Sequence, residues 1–138
     1  MTNNAPDHTP ALSEAMDLFN SGKYAEVITL VSGTGDPALL LLAARSYAET
    51  GQYDTAGYLL RDLITQMPAS SYLHSYLADV MEKTGDEHAV SEYATALILD
   101  PDNRPALRNY SRLLLARNDL RGAIPSLRSL VRLGGDPA

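Results

Sequence analysis

Apolar residues recur along this chain with the spacing of amphipathic helices, and short breaks containing Gly or Asn divide the pattern. Leu40, Ala43, Ala44 and Tyr47 precede a break at 50–53 (TGQY), and Ala56, Leu60 and Leu63 follow it. This i, i+3, i+4, i+7 stripe marks a helix that buries one face. Leu73, Leu77, Ala78 and Met81 precede TGDE at 84–87, with Ala89, Tyr93 and Ala96 after it. Leu107, Tyr110, Ser111 and Leu114 precede RNDL at 117–120, with Ala123, Leu127 and Leu130 after it. A weaker copy surrounds SGKY at 21–24. The alternation that marks strands is absent from the sequence.

The breaks at Gly22, Gly51, Gly85 and Asn118 lie 29, 34 and 33 residues apart. A fixed period of that size signals stacked supersecondary units, each too small to bury its own apolar faces. Prolines punctuate the unit ends. Asp36 with Pro37, and Thr9 with Pro10, suit an N-cap and a first helical position, while Pro68 and Pro101 stop the helices before them. Pro125 falls about a turn into the last helix and is expected to bend it. The reading is all-α, with eight helices in four antiparallel pairs.

These units resemble the tetratricopeptide repeat, a helix–turn–helix of about 34 residues with small residues at the helix crossing and a closing Pro. The second unit matches best, through Ala44, Tyr47, Gly51, Tyr53, Ala56, Leu60 and Pro68. The third matches through Ala78, Met81, Gly85, Ala89, Tyr93, Ala96 and Pro101, with one residue fewer between Gly85 and Ala89 than the family spacing. The fourth matches through Ser111, Leu114, Asn118, Leu120, Ala123 and Leu127, and its Pro137 comes late. The first is weakest: Ala15, Leu18, Gly22 and Tyr24 fit, Val27 replaces Ala, and Ser32-Gly33-Thr34-Gly35 cuts its second helix short. The resemblance implies a right-handed α-solenoid of helix hairpins. Residues 9–138 are expected to form a single repeat domain with approximate repeats 9–36, 37–70, 71–103 and 104–138, after a disordered tail at 1–8.

Composition narrows the chemistry. The 138 residues include no Cys and three His. Thiol nucleophiles, disulfides and Cys-based metal sites are therefore excluded, and no cofactor or metal is expected. The longest apolar run, 38–44, is far below the roughly 20 residues that span a bilayer, and the opening MTNNAPDHTP is neither basic nor apolar. The expectation is a soluble, cytoplasmic, non-enzymatic protein without membrane partners. Asp79, Glu82, Asp86, Glu87 and His88 form the densest run of possible ligands, but Asp86 falls in a turn where it is expected to cap the next helix, and Lys83 can pair with Asp79. His74 has no nearby Ser or Cys nucleophile with an orienting carboxylate, so it is expected to be packed or exposed imidazole.

Charge is divided unevenly. Residues 1–103 carry four basic and fifteen acidic side chains, net −11, whereas 104–138 carry seven arginines and two aspartates, net +5. Arg104, Arg108 and Arg112 recur at i, i+4, i+8, and Arg121, Arg128 and Arg132 form a second row. Such rows suit carboxylates or phosphates. The acidic body repels nucleic acid, so no nucleic-acid partner is expected.

The resemblance implies that the first helix of each pair lines an inner, concave side. Its positions on this chain are Leu12, Met16 and Phe19; Leu41, Arg45 and Ala48; Tyr72, Ser75, Asp79 and Glu82; Arg108, Arg112 and Leu115. A peptide or helix of a partner protein is the implied occupant. Asp79 and Glu82 can instead pair with Arg108 or Arg112 of the next unit. Family members that grip chaperone C-terminal carboxylates use Lys and Asn at positions held here by Leu12, Met16 and Leu41, with Arg45 the only cation, which argues against chaperone tails. An alternative role is a self-assembling scaffold, a homo-oligomer formed through the C-terminal repeat. The last helix carries Ile124 and Val131 beyond the apolar positions that one neighbour needs.

Overall fold

A computed structural model describes residues 11–134. The expected tail at 1–8, the Thr9–Pro10 cap and Pro137 lie outside the described residues. Those residues contain eight helices and no strand: α1 (Leu12–Asn20), α2 (Tyr24–Leu30), α3 (Pro37–Glu49), α4 (Tyr53–Gln66), α5 (Ser71–Lys83), α6 (Ala89–Leu99), α7 (Arg104–Ala116) and α8 (Leu120–Arg132). No helix among them is long and apolar enough to cross a membrane. The chain divides into two compact units, Met1–Leu63 and Ile64–Ala138.

The four breaks share one geometry. Gly22, Gly51, Gly85 and Asn118 all have positive φ, between 60° and 80°. In each, the following amide donates back across the turn: Lys23 to Leu18, Gln52 to Tyr47, Asp86 to Met81 and Asp119 to Leu114. This is the Schellman closure, which satisfies a helix's last carbonyls and needs a left-handed residue. Asn118 serves because its short polar side chain tolerates that region.

In the first unit α1, α2 and α3 pack on one another around Ala15, Val27, Val31, Leu39, Leu42 and Ala43, with Leu18, Phe19, Leu30 and Leu59 against them. Helix α2 has only seven residues and stops at Leu30, ahead of the Ser-Gly-Thr-Gly stretch. Asp36 caps α3 by accepting from the Ala38 and Leu39 amides, with Pro37 next in the chain.

In the second unit α5 pairs with α6, α7 pairs with α8, and α6 packs on α7. Small residues sit at the centre of that packing: Ala78, Ala96, Ala106 and Ala123 are fully buried and Ser111 nearly so. Side chains this small let helix axes approach to about 8 Å. The residue missing after Gly85 has a visible effect. The other three second helices begin two residues after their break, whereas α6 begins four after it, at Ala89. The expected cap is corrected accordingly. Asp86 accepts from the His88 amide at 2.9 Å and so caps the turn that leads into α6, while the N-cap position falls on His88, whose side chain makes no capping bond. Asn103 and Asp119 cap α7 and α8 through the Ala106 and Gly122 amides. Helix α8 runs on through Pro125 to Arg132.

Candidate functional site

Each unit carries its own set of the expected inner-face residues. In the first, the Arg45 guanidinium lies 4.5 Å from the centroid of the Phe19 ring, and Phe19 meets Tyr24 edge-on at 5.1 Å. A cation over an aromatic face gains from the ring's negative quadrupole. Leu12 and Met16, one turn apart on α1, are exposed, while Leu41 and Ala48 on α3 are half-buried.

In the second unit Tyr72 is half exposed and stacks on Tyr76 one turn along α5, with centroids 6.1 Å apart. Ser75, expected on the inner face, is instead buried at 5% exposure, so it offers a partner no surface. Asp79 and Glu82, three residues apart on α5, meet the hydroxyl of Tyr93 from α6. That hydroxyl lies within hydrogen-bond reach of both carboxylates, at 2.5 Å from Glu82 Oε2. From α7, Asn109 donates to Asp79 Oδ1 at 3.1 Å, and Arg112 reaches both Glu82 oxygens at 2.7 and 2.9 Å. The pairing of Glu82 with the arginine of the following hairpin is thus the one that forms. The hydrogen bonds found at Asp79 come from Tyr93 and Asn109 rather than from Lys83. Arg108 and Leu115 are exposed on α7.

These groups line an open polar depression of about 520 Å³, bounded by Asp79, Glu82, Lys83, Asn109 and Arg112. Its titration is perturbed by its own geometry. Burial, reinforced by the neighbouring Glu82, pushes the Asp79 carboxyl above the usual carboxylate range against the opposing pull of Tyr93, Asn109 and Arg112. Burial, then the two carboxylates it bonds, pushes the Tyr93 phenol far above its ordinary value. The bond to Glu82 holds the Arg112 guanidinium still more firmly charged. One phenolic hydrogen cannot serve two carboxylates at once. A protonated Asp79 that donates to Tyr93 while Tyr93 donates to Glu82 satisfies all three.

The sequence pattern placed Tyr93 in the apolar stripe and missed its hydroxyl and Asn109. The available signal was a Tyr one helix away from carboxylates three residues apart. His74 is packed, with its ring nitrogens 2.8 Å from Glu92 and 3.0 Å from the Pro68 carbonyl. Several of the C-terminal arginines are engaged within the chain. Arg132 pairs with Asp102 at 2.6 Å, Arg117 reaches the Glu87 carbonyl at 3.2 Å and Arg104 reaches that of Leu133. Among the described residues no group of three His, Asp or Glu side chains could hold a metal ion.

Buried small residues at the crossings, Schellman breaks and a repeated hairpin define an all-helical tetratricopeptide-type repeat fold, and solved structures bear this out. The chain is similar to the MamA RS-1 ArsTM double mutant (TM-score 0.82, 16% identity, 93% of this chain and 75% of that one). It is similar to MamA 41-end from Desulfovibrio magneticus RS-1 (TM-score 0.80, 17% identity, 93% and 76%). It also resembles TTC0263, a thermophilic TPR protein from Thermus thermophilus (TM-score 0.67, 20% identity, 87% and 71%). No protein-family model matches the chain, and no curated protein matches it in sequence.

Proposed function

We propose that this chain is a protein-interaction module that holds a peptide or helix of another protein against the faces of its first helices, with no chemistry of its own. A scaffold or interaction role accords with the fold. The observation that carries the finer reading is the polar depression on α5 and α7, where two carboxylates, an amide and a guanidinium are already fixed by one another. Groups held in place before binding lose little entropy on contact, so they favour a partner that matches their pattern. Exposed Tyr72 on α5, and Met16 with the Arg45–Phe19 pair in the first unit, supply the amphipathic contacts that interfaces favour. A net charge of −6 opposes nucleic acid as the ligand.

The test is comparative affinity capture with mass spectrometry. Proteins retained by the wild type should be lost with Arg45→Glu/Tyr72→Ala at unchanged helix content, and kept by Tyr58→Ala, which alters an exposed residue of α4. Capture indifferent to the double change would move the interaction to another surface. Self-association through the C-terminal repeat is the competing reading, supported by the exposure of Ile124 and Val131.

A further inference from the structure

The repeat itself shows which face of α8 is bare. Val90, Tyr93 and Leu97 lie on α6, the helix that packs against α7; Tyr93 is fully buried and the other two are half-buried. Thirty-four residues on, the same positions of α8 are Ile124, Leu127 and Val131, and these are 43%, 38% and 77% exposed. Leu120, also exposed, extends the row. Spacings of four, three and four residues put all four side chains on one seam of the helix, the pattern that a facing helix fills.

One edge of this seam is charged. At 100° per residue, Arg121, Arg128 and Arg132 lie about a quarter turn from it. Arg132 is engaged by Asp102. Arg121 and Arg128 are exposed and have no ion-pair partner among the described residues. Two such guanidinium groups beside a desolvating apolar row favour carboxylates at the matching edge of whatever covers it.

A second copy of the chain fits this surface poorly. An antiparallel two-fold contact between α8 helices sets arginine row against arginine row within segments of net charge +5. A head-to-tail contact would use α1 in the place that α7 takes on α6. The residues of α7 that border α6 include Tyr110, which lines one cleft together with Leu97 and Ile98, and Leu113, which lines another together with Ala89 and Val90. Ninety-six residues earlier, in register with the breaks at Gly22 and Asn118, their counterparts on α1 are Glu14 and Asp17, both exposed. Those carboxylates would lie on the apolar seam itself rather than along the arginine row, which strips them of water without pairing them.

We propose that the Leu120–Ile124–Leu127–Val131 face of α8 docks an amphipathic helix of a partner protein, one whose apolar stripe is edged by a row of Asp or Glu opposite Arg121 and Arg128. This surface is separate from the first-helix faces. The probe is a fluorescein-labelled helical peptide with Leu along one stripe and Glu along its edge, compared by anisotropy at low salt with the same peptide carrying Lys in place of Glu. The Glu peptide should bind saturably, weaken as salt rises and exceed the Lys peptide by about tenfold in affinity. Arg121→Glu/Arg128→Glu, at exposed positions that leave the fold alone, should invert that preference, and Ile124→Asp/Val131→Asp should abolish binding of both peptides at unchanged circular dichroism. Arg45→Glu/Tyr72→Ala should change none of this, so failure here and failure of the first-helix reading are distinguishable. Equal affinity for the two peptides, or no saturable binding, overturns the proposal. So does a light-scattering mass above 14.9 kDa that returns to that value in Ile124→Asp/Val131→Asp, because a second copy then covers the face.

Discussion

Helices α6 and α8 carry the same apolar register thirty-four residues apart, yet α6 is closed over by α7 and α8 ends in the open. Both helices rest on a buried alanine at the crossing, Ala89 and Ala123. They part on the opposite side, where Tyr93 is sealed and Leu127 and Val131 face solvent. Periodicity reports which side of a helix is apolar; it does not report whether anything lies against it. That depends on the next hairpin in space, and beyond α7–α8 the described residues contain none.

The widest gap between the two helices should appear in large-to-small substitutions. Tyr93→Ala removes a fully buried ring and a hydroxyl hydrogen-bonded to Glu82, and should cost about 3–5 kcal/mol in denaturant unfolding. Leu127→Ala, at the matching place on α8, should cost less than about 1 kcal/mol. Equal losses would mean that the α8 face is covered in solution.

Overpacking is the next largest effect. Ala89→Leu pushes a branched side chain into a crossing with no space and should cost about 1–3 kcal/mol, as should Ala56→Leu in the first unit, where Ala56 is also fully buried. Val131→Lys, at an exposed position beside Arg128 and Arg132, should stay within about 0.5 kcal/mol of the wild type. Chemical denaturation of the three variants measures the contrast.

How much of this was legible in the sequence depends on the range of each interaction. Helix number, the breaks and the buried alanines depend on residues three to five positions apart, and their spacing reveals them. Asn118 in the left-handed region and the Asp36–Pro37 start of α3 belong to the same local kind. The late start of α6 was signalled by the missing residue after Gly85, although the pattern did not say that Asp86 would cap the turn rather than the helix. The site was less legible. Its partners come from three helices, Asp79 and Glu82 from α5, Tyr93 from α6, and Asn109 and Arg112 from α7, so no local spacing connects them. The burial of Ser75 was equally hidden, because its position on the helix face allows either a groove or a packed neighbour.

A modest stability change tests the α5–α7 link itself. Glu82→Gln retains shape and acceptor but gives up the charge that Arg112 holds at 2.7 Å. The Arg112 side chain is more than half exposed, so water screens the pair. The loss should be about 0.2–1 kcal/mol and should shrink in high salt. A larger, salt-independent loss would mean that the Tyr93 bond, not the ion pair, is what Glu82 contributes.

The pH dependence of the same cluster distinguishes its two carboxylates with the subtlest signal. Because the folded protein holds the Asp79 proton more tightly than the unfolded chain does, with its ordinary value of 3.8, the stability from this group is fully present below that value. It is lost as pH rises from there through the raised folded value, where a half-buried charge appears beside Glu82. Asp79→Asn imitates the protonated side chain: its amide can donate to Tyr93 while its carbonyl still accepts from Asn109. The variant and the wild type should therefore be nearly equal in acid and diverge in favour of the variant as pH rises toward neutral, with the gap constant above the folded value of Asp79. Urea melts at a series of pH values read this directly. A gap that stays flat from acid to neutral would show that Asp79 titrates as it does in the unfolded chain and that the hydroxyl of Tyr93 serves two ionised carboxylates after all.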